Sequence, residues 1–76
     1  MNKQRRKTIS DVLGKLEELK AEIELVLDEE AEAYDNMPEG LQSSERGEQM
    51  SEAIDNLNGA VDSFDSLIEA LEEARN

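Results

Sequence analysis

Tyr34-Asp35-Asn36-Met37-Pro38-Glu39-Gly40-Leu41-Gln42-Ser43-Ser44-Glu45-Arg46-Gly47 is the one stretch of this 76-residue chain that interrupts the 3.6-residue period of an α-helix. Pro38 has no N–H to donate and its ring clashes one turn back, so a helix cannot run through it. The same ring pushes Met37 toward extended geometry. Gly40 loosens the chain after the break, and the Ser43-Ser44 pair supplies residue types that open a new helix. The stretch therefore reads as the bend between two helices. The fold class expected is all-α, an antiparallel two-helix hairpin.

Toward the N-terminus, Ile9, Val12, Leu16, Leu19, Ile23 and Val26 alternate spacings of three and four. That is an a/d seam, widened on one side by Leu13 and Leu27, with most carboxylates opposite it. Thr8 followed by Asp11 resembles a capping box, so the first helix is expected over residues 8–35, preceded by a basic lead-in at 1–7 that is either frayed or a first helical turn. Toward the C-terminus, Ser44 opens a second helix expected over residues 44–75, leaving 36–43 as the corner. Its seam is more regular: Met50, Ile54, Leu57, Val61, Phe64, Ile68 and Leu71, flanked by Ala53, Ala60, Leu67 and Ala74.

Helices of about 40–46 Å joined by a short corner pair naturally side by side, with facing position numbers totalling about 80. In that register Lys3–Lys7 would lie beside Glu69, Glu72 and Glu73 and neutralise the acidic end of the second helix. Lys20 would make modest surface pairs with Glu17 and Glu24. Tyr34 and Leu41 would cap the open end of the core, with Arg46 pairing with Asp35 or Glu39.

A chain this short, with one Tyr, one Phe and no Trp, has little to bury. It has no Cys for a disulfide and no His or Cys for a zinc site, which leaves oligomerisation as the means of adding core. A homo-oligomer is expected, a dimer before others, with two hairpins forming a four-helix bundle. The spacing of the apolar residues argues against disorder, which the high charge would otherwise favour.

The net charge is −12, unevenly placed. Lys3, Arg5, Arg6 and Lys7 carry four positive charges, and from Thr8 onward the balance is −16. An acidic body repels nucleic-acid phosphates and anionic lipid and attracts basic proteins. No apolar run reaches the roughly 20 residues of a membrane span. Absence of Cys fits a cytoplasmic setting.

Nothing in the sequence specifies catalysis or a cofactor. There is no His or Cys and no phosphate-binding glycine loop, and a serine nucleophile would lack an evident base. Carboxylate metal sites in helical bundles draw on Glu-x-x-His, and that His is missing. Asp28, Glu29, Glu30, Glu32 and Asp35 crowd the first helix's C-terminal end, where the dipole already carries negative charge. They read either as a solvated face or as a surface kept for a basic partner, an array of carboxylates imitating duplex phosphates. Tyr34, Met37 and Arg46 beside them are residue types favoured at docking sites. The alternative anion-binding set is Lys3, Arg5, Arg6 and Lys7, which would capture a nucleotide or nucleic acid. A third alternative is a structural or assembly module.

The string from Tyr34 to Gln42, then Ser44-Glu45-Arg46-Gly47-Glu48, resembles short acidic helical proteins encoded by phages and mobile elements of Gram-positive bacteria. The similarity covers roughly residues 25–74 and includes the alanine-containing second helix. It implies a setting, the cytoplasm of a bacterial host, in which small phage proteins with acidic surfaces often inhibit host defence or nucleic-acid enzymes. It transfers no catalytic residue.

Overall fold

The computed structural model describes all 76 residues, and they form three helices with no strand. Helix α1 spans Lys3–Asp35, α2 is a single turn at Glu39–Gln42, and α3 spans Glu45–Arg75. The two long helices pack together, and the molecule is extended, 58 × 15 × 13 Å.

Helix α1 starts five residues earlier than the Thr8 signal predicts. The Asn2 side chain is the cap, its Oδ1 accepting from the Arg5 amide at 2.8 Å. Thr8 instead turns its hydroxyl back one turn and donates to the Gln4 carbonyl at 3.1 Å. Of the two expected states of the basic lead-in, frayed or helical, Lys3–Lys7 take the helical one and form the first turns of α1. Helix α3 starts where expected, with Ser44 Oγ accepting from the Gly47 amide at 3.3 Å.

Two contacts set the register between the long helices. Lys20 Nζ lies 2.6 Å from Asp65 Oδ1, and Arg75 Nη1 donates to Ser10 Oγ at 3.2 Å. Moving along α1 from Ser10 to Lys20 moves back along α3 from Arg75 to Asp65. Both pairs total 85 in position number, not about 80. This corrects the expected placement of the basic turn: with Ser10 already level with Arg75, Lys3–Lys7 extend past the end of α3 and do not lie beside Glu69, Glu72 and Glu73.

The α3 side of the seam follows the predicted residues. Ile68 is buried, and Met50, Ile54, Leu57, Val61, Phe64 and Leu71 are half-buried. The α1 side is turned by one position. Leu13 is buried, while Ile9, Leu16, Lys20, Ile23, Leu27 and Tyr34 are half-buried. Val12, Leu19 and Val26, expected within the seam, are exposed at 39%, 49% and 48%. Lys20 is the reason the packed row escaped notice: a charged residue occupies the position in step with Leu13 and Leu27, its stem along the seam and its head on Asp65. Leu13 and Ile68 are the only large apolar side chains that count as buried, and even they keep 5% and 9% of their surface exposed.

Candidate functional site

The corner is built from hydrogen bonds that close the end of α1 and launch α3. The amides of Asn36 and Met37 reach back to the carbonyls of Glu32 and Tyr34. Pro38 then turns the chain out of α1, and its carbonyl accepts from Leu41 and Gln42 to form α2. Gln42 ties the two arms together, its Nε2 donating to the Tyr34 carbonyl at 2.9 Å. Ser44 closes the other side, donating its hydroxyl to the Leu41 carbonyl while capping α3.

Gly47 is the residue whose importance the sequence concealed. It is buried, and a Cβ there would sit 2.2 Å from the Gln42 carbonyl oxygen and 2.5 Å from that of Leu41. The corner can press against α3 only because this position carries no side chain. Gly14 and Gly59, in contrast, face open space.

Against this corner lies an open hollow of about 400 Å³, with Met37, Pro38, Leu41 and Met50 supplying its apolar wall and Arg46 at its edge. Arg46 is exposed and forms no ion pair with Asp35 or Glu39. Tyr34 and Met37 are half-buried, and Leu41, expected as a cap on the core, is exposed at 52%. Of the acidic group, Asp28, Glu29, Glu32 and Asp35 are exposed and Glu30 is half-buried. No three acidic side chains come together as a cation site would require. The structure thus brings Met37 and Arg46 to one hollow and leaves the carboxylates spread along α1.

At the opposite end, Lys3, Arg5, Arg6 and Lys7 are exposed and none forms an ion pair. Lys20–Asp65 is the one salt bridge in the molecule. The hydrogen bond to Asp65 is the main cause holding the Lys20 ammonium above the ordinary lysine value; desolvation, next in size, opposes it, and Coulombic attraction to Asp65, Glu24 and Glu17 adds to the rise. Glu17 and Glu24 therefore contribute through the field, and Asp65 makes the bond.

The arrangement of charge on α1 runs against its dipole at both ends. Its first turn carries no acid and its last turn no base. Helix α3 follows the favourable rule, with Glu45 and Glu48 in the first turn and Arg75 in the last. No helix is long and apolar enough to cross a membrane. No protein family, curated protein or solved structure matches the chain.

Proposed function

We propose that the chain is an antiparallel helical hairpin, that two hairpins associate as a four-helix bundle, and that the bundle is a non-enzymatic interaction module. Its acidic surface engages a basic protein in the groove that would otherwise hold nucleic acid. With the resemblance of the corner to phage-encoded acidic proteins, the reading becomes an inhibitor of a host defence or nucleic-acid-binding protein, acting in the bacterial cytoplasm.

One observation carries it. Twenty carboxylates line a rod 58 Å long, and only Asp65 has a cationic partner within the chain. Such a field draws basic surfaces at long range and weakens as salt screens it.

The test is displacement of a labelled DNA duplex from purified nucleic-acid-binding enzymes of Gram-positive hosts, at low and high salt. Competition by the wild-type protein is expected at low salt, reduced at least tenfold when Asp28, Glu29, Glu30 and Glu32 are changed to their amides. Equal competition by wild type and variant would sink the acidic-surface reading.

A second reading rests on the four unpaired cations at the start of α1, which have the chemistry to hold a nucleotide phosphate. Removing residues 1–7 would abolish such binding and leave duplex displacement in place. Nucleotide binding that survives the deletion rules out the basic turn as the site.

A further inference from the structure

Resting on the bundle reading, we infer that the second hairpin is a copy of this chain docked in opposite orientation on one uncharged face, with the two-fold axis lying in the interface and crossing both helices at the level of Leu19 and Leu67. The face is defined by heptad position. Val12, Leu19 and Val26 each precede by one residue the packed row Leu13, Lys20, Leu27 on α1. On α3, Ala60, Leu67 and Ala74 each stand one residue before the row Val61, Ile68, Arg75. Because the paired helices run in opposite senses, the position before the seam falls on the same side of both. The 85 register then brings Leu19 and Leu67, Val26 and Ala60, and Val12 and Ala74 to within one residue of level.

The result is a flat apolar face on an otherwise charged rod. The opposite side of the hairpin, at the matching flank, carries Glu17, Glu24 and Asp65. The apolar side continues over α3 through Ser63 and Ala70, again without charge. Ala60, Ser63, Phe64 and Leu67 line a hollow there of about 410 Å³, which a neighbouring helix would cover. The rows Val12–Val26 and Ala60–Ala74 each run about 21 Å at 1.5 Å per residue, the middle of a 58 Å rod, so contacts between the charged ends must supply the rest of the interface.

Self-complementarity points to a second copy. The row Val12-Leu19-Val26 reads the same in both directions, so turning one copy end over end about Leu19 lays Val12 on the partner's Val26. Each flanking layer then holds two valines and two alanines around a central layer of four leucines, and the layers match in volume.

Charge selects the opposite orientation. Placing both corners at one end would stack two copies of the Asp28–Asp35 cluster. Turning the copy over sets the unpaired Lys3–Lys7 turn against the partner's cluster and brings Lys15 near the partner's Glu22. It also resolves the charge placement on α1, whose basic start and acidic end each oppose their own dipole. In the dimer each unfavourable end lies level with its opposite, while Asp28 and Asp35, on the flank of α1 away from the docked row, stay open to a basic partner.

The chain has no cysteine, so single-cysteine variants report orientation directly. Two equimolar mixtures are refolded together and exposed to oxidised glutathione: Val12→Cys with Val26→Cys, and Val12→Cys with Ala74→Cys. A mixed disulfide dimer is expected in the first and absent from the second. Cross-linking in the second mixture means corners at the same end and overturns the proposed orientation. Cross-linking in neither, for a protein that sediments as a dimer, overturns the choice of face while leaving the bundle in place. A protein that sediments as a folded monomer at every concentration removes the bundle and this inference together.

Discussion

Lys20 on α1 and Asp65 on α3 meet at 2.6 Å across the seam, with the lysine stem 27% and the aspartate 56% exposed. Together with the Arg75–Ser10 hydrogen bond, this ion pair holds the register of the two helices, much as a polar residue in a coiled-coil seam specifies register. Because the Lys20 pKa is raised above 10.5 in the folded chain, the pair contributes fully at neutral pH. Its contribution is lost as pH rises through the folded value. Chemical denaturation of wild type is expected to show an alkaline loss of stability that Lys20→Met lacks. Lys20→Met should keep or gain stability at neutral pH, since an apolar side chain suits that seam position. Identical alkaline behaviour of the two proteins would contradict the assignment.

Gly47→Ala places a methyl group into the Gln42 and Leu41 carbonyls, which are backbone and cannot swing aside. The expected cost is about 1–3 kcal/mol, as for overpacking in a filled interior. Gly14→Ala and Gly59→Ala, at positions open to solvent within helices, should each stabilise by about 1 kcal/mol. Urea midpoints for the three variants check the opposite signs in one experiment.

Gln42→Ala removes the tie between the corner and the end of α1 and should cost about 1 kcal/mol. Gln42→Glu keeps the shape but sets a carboxylate against the Tyr34 carbonyl, among acids. It should cost more than the alanine change, and the gap should narrow as salt increases. Thermal melts of both variants across a salt series test this.

Asn2→Ala should cost about 1 kcal/mol through loss of the cap. It should also fray the first turn and so loosen the Lys3–Lys7 cluster. Thr8→Ala removes only a back-bonded hydroxyl and should be close to neutral. Far-UV circular dichroism and melting temperatures distinguish this from a helix that begins at Thr8, for which the two costs would be reversed.

Much of the fold was legible because Pro38 and the 4-3 spacing from Met50 to Leu71 each permit one reading. The α1 seam was not, because two heptad rows lie side by side there. Val12-Leu19-Val26 is wholly apolar, while the row that packs within the chain is interrupted by Lys20. Hydrophobicity alone ranks the wrong row first. The register depends on one cross-helix ion pair and one hydrogen bond, and sequence spacing does not encode either. Within the candidate site, the placing of Asp28, Glu29, Glu32 and Arg46 on the surface follows from their charge. The role of Gly47 does not, since its glycine serves a close approach between segments and not a turn.

A core of two buried apolar side chains, Leu13 and Ile68, has a consequence for dosage. If a second copy supplies the rest of the interior, as proposed, folding is coupled to association and the melting temperature should climb with protein concentration. At low copy number the helices would then lie open to proteases. A burst of synthesis would convert the pool to a resistant form, making the level of expression itself the control on activity.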